Sequence, residues 1–168
     1  MTKQIAVLSS QKTPIIQALS DYFKDKEIKI FQTENILEAC EADLCIIDEY
    51  KGYVNEKVLD CTQFISIHNS LLPAFDCENP EEKAFEMGVK VSGVTIYYTD
   101  SKKIIAQYPV FIDLMTTMNE FKQEIQSVKN KLCPFVAESV IQDKLFSFDM
   151  LLKPDRCSGS CSQNCNCQ

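Results

Sequence analysis

Short apolar runs alternate with helical patterns through the first seventy residues or so, and this alternation constrains the fold more than any other feature of the chain. "QIAVLSS" is an apolar run that ends in small polar residues, the pattern of a buried strand entering a loop. In "TPIIQALSDYFKDK", Thr13 is a candidate cap and Pro14 suits the first helical position. Ile15, Ile16, Leu19, Tyr22 and Phe23 then fall on one helical face. "EIKIFQT", "DLCIIDEY" and "QFISIH" read as further strands, with "ENILEACEA" and "YVNEKVLDC" as short helices between them. Strands separated by helices pair through crossovers rather than tight hairpins. The predicted fold is therefore α/β, an open, mostly parallel twisted sheet flanked by helices.

The second half changes character. "ENPEEKAFEMGVK" is a marked helix, with Asn79 as cap, Pro80 at its start and Gly88 as stop. "VSGVTIYYTD" and "KKIIAQYPVFI" are β-rich and joined by a short polar turn, which predicts an antiparallel hairpin. A long helical pattern follows with Pro134 inside it, so two helices or one kinked helix are expected. "LFSFDMLL" reads as a last strand. The expected organisation is one domain over residues 1–152 and a Cys-rich tail over 153–168.

The net charge is -7, which repels phosphate backbones and argues against nucleic-acid binding. No apolar run reaches the roughly 18 residues of a membrane span. The start "MTKQIAVLSSQK" turns polar too soon for a secretory signal. A cytoplasmic protein with a small-molecule ligand is expected, without nucleic-acid or membrane partners, as a monomer or homodimer. Of 9 cysteines, Cys40, Cys45, Cys61, Cys77 and Cys133 are scattered and read as small hydrophobes or free thiols.

In an open α/β sheet, ligands sit at the carboxyl ends of the strands. Three loops of that kind are visible: "SSQKTP", "DEYKGY" and "HNSLLPAF". His68, the chain's 1 histidine, stands at the mouth of the third. Such a histidine serves as a general base, a hydrogen-bond donor or a positioned cation, or merely satisfies backbone groups at a strand end. Ser66 lies on the same strand face.

"ISIHNSLLPAF" resembles the Asn-x-His-Pro-Ser-Leu-Leu-Pro signature of the formyltetrahydrofolate-dependent formyltransferases. The nearest resemblance is to the branch that acts on glycinamide ribonucleotide in purine synthesis. "AFEMGVKVSGVTIYYTD", "IIAQYPV" and "KLCPFVAESVIQDKLF" are similar to later segments of that family and keep their order, from about Asp43 to about Phe148. The resemblance implies a Rossmann-like formyltransferase fold and 10-formyltetrahydrofolate as the one-carbon donor. It also implies three catalytic polar residues: an asparagine, a histidine and an aspartate.

Carried over residue by residue, the histidine is His68 and the asparagine position holds Ser66. The family's aspartate loop is shortened to "YTDSKKIIAQ". Asp100 matches an earlier acid of that loop, and Lys102 or Lys103 stands near the missing aspartate. The glycines of the family's phosphate loop are absent from "SSQKTP", where Ser9, Ser10, Lys12 and Thr13 are the candidate anion ligands. The folate-side loop is "DEYKGYVNE", where Tyr50 and Lys51, with Leu71 of the signature, are the candidate ligands. Asp48 and Glu49 replace small apolar residues there. A strand–helix unit between "KIFQTEN" and "DLCIID" is also missing. These departures predict a formyltransferase-like protein, weakly active or inactive in the glycinamide ribonucleotide reaction.

The tail supplies Cys157, Cys161, Cys165 and Cys167. Four thiolates suit tetrahedral zinc or an iron–sulfur cluster, although the spacing follows no standard zinc pattern. The alternative expectation is a non-catalytic ligand-binding protein, or a metal or redox protein working through this tail.

Overall fold

Each apolar run of the first half becomes a strand, and the crossovers between them make those strands parallel. The computed structural model describes residues 2–148. β1 (Lys3–Leu8), β2 (Ile28–Thr33), β3 (Leu44–Ile47) and β4 (Gln63–His68) run parallel. β5 (Val91–Tyr98) and β6 (Ile104–Phe111) run antiparallel, giving a six-stranded sheet of order β2-β1-β3-β4-β5-β6. The open, mostly parallel α/β sheet and its hairpin match the sequence expectation.

The two-residue period of the strands sorts side chains between two unequal layers. Ile5, Val7, Ile46 and Ile65 face a thick layer built from α1 (Ile15–Phe23) and α4 (Met118–Ile141). The alternate residues Ala6, Leu8, Cys45 and Phe64 face a thin layer. That layer holds the four-residue α2 (Ile36–Ala39) and a single 3-10 turn at Glu56–Val58, less helix than the sequence suggested. α3 (Pro80–Glu86) packs on α4 through Phe85 and Phe121, whose rings lie 6.4 Å apart.

Two local expectations change, at Asn79 and at residues 145–148, and around Pro134 a single helix is found. Asn79 precedes α3 but makes no side-chain cap, so Pro80 and the first-turn acids Glu81 and Glu82 carry that start. Pro134 sits inside α4 without dividing it, since the helix is anchored by buried residues on both sides and opened by a Thr117–Glu120 capping box. Residues 145–148 form no strand; Phe148 packs against Tyr108 and Phe146 at 6.5 and 5.2 Å, so aromatic contact takes the place of ladder bonds. Residues 149–152 of that expected strand, the tail and its four cysteines lie outside the described residues.

Cys40 and Cys61, read as free residues, are joined by a disulfide. Both fall on the thin layer, at the end of α2 and after the 3-10 turn, with Cα atoms 5.7 Å apart. Cys45, Cys77 and Cys133 are free. Burial pushes the Cys45 thiol up to about 12 and the Cys133 thiol up as well, which suppresses thiolate formation at both. Among the described residues no helix is long and apolar enough to cross a membrane.

The hairpin contains one close approach. A Cβ on Gly93 would lie 2.1 Å from the Tyr108 carbonyl oxygen and 2.8 Å from Leu71 Cδ2. Gly93→Ala should therefore lower stability by about 1–3 kcal/mol. A reduced urea midpoint at unchanged slope would show it; an unchanged midpoint would contradict the close approach.

Candidate functional site

Ladder geometry delivers the ends of β1, β3 and β4 to one edge of the sheet, and side-chain bonds tie their loops together. Thr13 donates its hydroxyl to Asp48 Oδ2 at 2.7 Å. The Lys51 amide donates to Ser10 Oγ at 2.8 Å, and Gln11 donates to Glu49. Glu49 also accepts from Asn69, whose Nδ2 lies 2.7 Å from Glu81 Oε1 and so links the cluster to α3.

His68 ends β4, half-buried, with Nε2 3.0 Å from the Phe75 carbonyl oxygen. A carbonyl only accepts, so Nε2 carries the proton of this bond. In the neutral ring the lone pair is then on Nδ1. The intervening loop is fixed from β5 and β6. Thr95 Oγ1 donates to the Ser70 carbonyl at 2.6 Å and accepts from Leu72 N at 3.0 Å. Gln107 Nε2 donates to the Leu72 carbonyl at 2.8 Å, across the cis Leu72–Pro73 bond from Ala74, whose carbonyl takes the Ser70 hydroxyl at 2.6 Å.

Ser66 shares the His68 face and lies 2.8 Å, hydroxyl to hydroxyl, from Thr99. Asp100 follows Thr99, the Ser66 partner, and is not brought to His68. In the antiparallel ladder His68 is opposite Thr95, whereas Ile65 is opposite Tyr98 and Thr99 N bonds Phe64 O. Asp100 thus lies level with the start of β4, on the order of 15 Å from Thr95, the residue opposite His68, at the usual strand rise. Its carboxylate accepts from Ser101 N at 2.6 Å. The cation expected in this neighbourhood is Lys102, whose Nζ is 5.1 Å from the Tyr97 ring, opposite Ser66 in the ladder.

The densest charge is elsewhere. Lys129 of α4 is 1% exposed, with Nζ 2.7 Å from Asp48 Oδ1 and 3.2 Å from Glu49 Oε1. Burial disfavours its ammonium, but Asp48 and Glu49 outweigh that and hold its pKa above the ordinary value. Burial likewise disfavours the Glu49 carboxylate, but Lys129 with the Gln11 and Asn69 bonds holds its pKa below the ordinary value.

Backbone strain gathers around the same region. Glu49, Phe75 and Lys102 adopt positive φ of 51°, 55° and 57°, one in each of the loops that carry Asp48, His68 and Asp100.

Residues 4–137 match the Formyl transferase family model. The chain belongs to the formyl transferase family. Phosphoribosylglycinamide formyltransferase of Bacillus subtilis (strain 168) is 33% identical over 107 residues, 60% of this chain and 55% of the relative. Formyltetrahydrofolate deformylase of Escherichia coli (strain K12) is 25% identical over 118 residues, 67% of this chain and 42% of the relative. The chain spans about half the length of the curated relatives it matches. Among solved structures, phosphoribosylglycinamide formyltransferase from Anaplasma phagocytophilum superposes with a TM-score of 0.72 at 23% identity, covering 85% of this chain and 88% of that one, a likeness of fold.

In this family member the expected ligand residues meet different fates. Ser9 and Thr13 are buried and their hydroxyls are engaged internally, Ser9 with the Gln11 carbonyl at 2.9 Å. Ser10 and the exposed Lys12 and Lys51 remain at the crevice rim. Tyr50 folds back over Gly52, where a Cβ would lie 2.2 Å from its ring, and packs into the thin layer. Leu71 is half-buried against Gly93. Two cavities, of about 680 and 450 Å³, open between β6 and α4 and include none of these residues in their linings. Sequence reasoning missed Lys129, Thr95 and Gln107. For Lys129 a signal existed, because it stands four residues after Ile125 in an otherwise apolar stripe, where a cation requires a partner.

Lys129→Met should lower stability by about 3 kcal/mol or more, because it strands the buried Asp48 charge. Lys26→Met, which breaks the half-exposed pair with Glu138, should change stability by about 1 kcal/mol or less. Denaturant melts of both variants would check the contrast. The depressed Glu49 pKa contributes stability that is complete above the ordinary value of 4.5 and lost as pH falls through the lowered value. Glu49→Gln should accordingly flatten the fall in stability between about pH 5 and pH 3.

Proposed function

We propose that this chain is a remodelled formyl transferase that takes a formyltetrahydrofolate donor at the β4 end of the crevice and has little activity toward glycinamide ribonucleotide. The observation that carries the reading is the separation of Asp100 from His68, which leaves His68 and Ser66 as the polar pair on that face. The bound donor supplies the formyl carbon. Half-buried Leu71 and Tyr50 offer it apolar surface, and the loop bonds of Thr95 and Gln107 hold the Leu71 segment in place.

His68 Nδ1 is the acceptor for the proton released when an amine attacks the formyl carbon. The Ser66–Thr99 pair has two hydroxyl protons and uses one between them, so one remains to donate to the developing oxyanion. Serine provides a single donor where the family's asparagine provides an amide. Loss of one oxyanion donor is worth about 3 kcal/mol, on the order of a hundredfold in rate.

Titration with a non-reactive 10-formyltetrahydrofolate analogue should saturate in the micromolar range. Transfer to glycinamide ribonucleotide should run at least about a hundredfold below the Bacillus subtilis relative assayed alongside. Failure to saturate would remove the donor from the reading, and a rate within about tenfold of the relative would remove the remodelling.

The tail thiols Cys157, Cys161, Cys165 and Cys167 are proposed to bind zinc or an iron–sulfur cluster, on the strength of four sulfur ligands in one short segment. About one zinc or one cluster per chain is expected by elemental analysis of protein purified without chelator. Metal-free protein after growth in supplemented medium would refute it.

A further inference from the structure

We propose that Asp48 and Lys129 close the anion position at the N-terminus of α1, so that the acceptor amine handled by this crevice carries no phosphate. This inference rests on the formyl-transfer reading above and narrows its substrate class.

A helix N-terminus attracts an external anion through its free first-turn N–H groups. α1 opens toward the crevice, but its N–H groups are already engaged. Ile15 N donates to Thr13 Oγ1 at 3.4 Å, Ile16 N to the Thr13 carbonyl at 3.4 Å, and Gln17 N to the Pro14 carbonyl at 3.1 Å. Thr13 in turn directs its hydroxyl at Asp48 Oδ2, 2.7 Å away, so the hydroxyl beside the helix start is already given to a carboxylate of the chain. That carboxylate is 1% exposed and is neutralised by Lys129, equally buried.

The same lysine is shared with Glu49, whose side chain is 40% exposed at the mouth. A phosphate approaching this end meets two carboxylates and one cation already paired with both. The Ser9 hydroxyl is already bonded to the Gln11 carbonyl, and Ser10, whose Oγ accepts from the Lys51 amide, stands out at the rim. Lys12 and Lys51 are exposed cations on the rim, where solvent and salt screen a single lysine–phosphate contact. An uncharged or cationic amine meets none of these penalties.

The test uses the whole chain and two probes that need no catalysis, orthophosphate and ribose 5-phosphate, titrated calorimetrically at low salt. Neither should bind the wild-type protein with a dissociation constant below about 10 mM, a range in which each tenfold is 1.4 kcal/mol. Asp48→Asn removes one of the two carboxylates that neutralise Lys129 and leaves the lysine paired with Glu49 alone. It should tighten orthophosphate at least tenfold and raise the melting temperature with added phosphate. Binding of either probe to the wild type with a dissociation constant below about 10 mM would overturn the proposal, and so would an Asp48→Asn protein, folded by circular dichroism, with unchanged phosphate affinity. In transfer assays the 5′-dephosphorylated riboside of glycinamide should match or exceed the ribonucleotide in kcat/KM; a tenfold advantage for the ribonucleotide would refute the inference. Donor-analogue binding is scored separately, so a failed donor reading and a failed phosphate exclusion give different results.

Discussion

The arrangement of the crevice depends on one buried ion pair. Lys129 enters from the apolar stripe of α4 and meets Asp48 at the end of β3, both 1% exposed. Neither charge is tolerable alone at that depth, so each fixes the other. Thr13 joins the pair to the start of α1, and Glu49 joins it to Gln11 and Asn69. Helix packing, sheet register and loop conformation are thus coupled through a few polar atoms. A shift of α4 along its axis would break the charge contact before it disturbed much apolar packing, because dispersion contacts are many and individually weak.

The other end of the crevice is held by neutral groups. Thr95 and Gln107 look outward from the hairpin and take the backbone of the loop after β4, so the segment from Ser70 to Ala74 has its polar groups paired without any charge. The hairpin that supplies these anchors also limits the site. Its turn is short, and Lys102 N returns to the Tyr98 carbonyl at 2.9 Å, so Asp100 stays level with the start of β4. A longer connection would be needed to fold an acid back over Ser66 and His68. The length of one turn therefore sets which residues share the reacting face.

The sheet was legible because its signal is periodic: alternate residues of β1, β3 and β4 partition between two layers, and turn residues mark the breaks. The shared strand face of Ser66 and His68 was legible because side chains alternate along β4. The thin layer was overestimated, since "YVNEKVLDC" has helical spacing but too little apolar surface to hold more than one turn. The last strand was misread for a related reason. Its phenylalanines have partners in aromatic contact with Tyr108, and an apolar run does not say whether it is held by a ladder or by side chains. The Cys40–Cys61 bridge was invisible because pairing across 21 residues is decided by where two chain segments meet, not by spacing. The Lys129 partnership failed for the same reason: its stripe position called for a partner, but only the fold brings residue 129 to residue 48.

Charge therefore divides the crevice along the sheet. At the β1–β3 end the buried charges are answered within the protein, Lys129 by Asp48 and Glu49, while Lys12 and Lys51 stay in solvent on the rim. At the β4 end His68 bonds a backbone carbonyl and Ser66 bonds Thr99, hydroxyl to hydroxyl, so the polar contacts there are made without an ion pair. A ligand gains most where it completes bonds the protein leaves open and loses most where it must displace bonds the protein has already made. In the proposed reaction the two ends act in opposite ways on one substrate: one offers its reacting group partners, and the other disfavours an anionic handle attached to it. Selectivity in such a site comes from filling the anion position from within as much as from anything presented to the substrate.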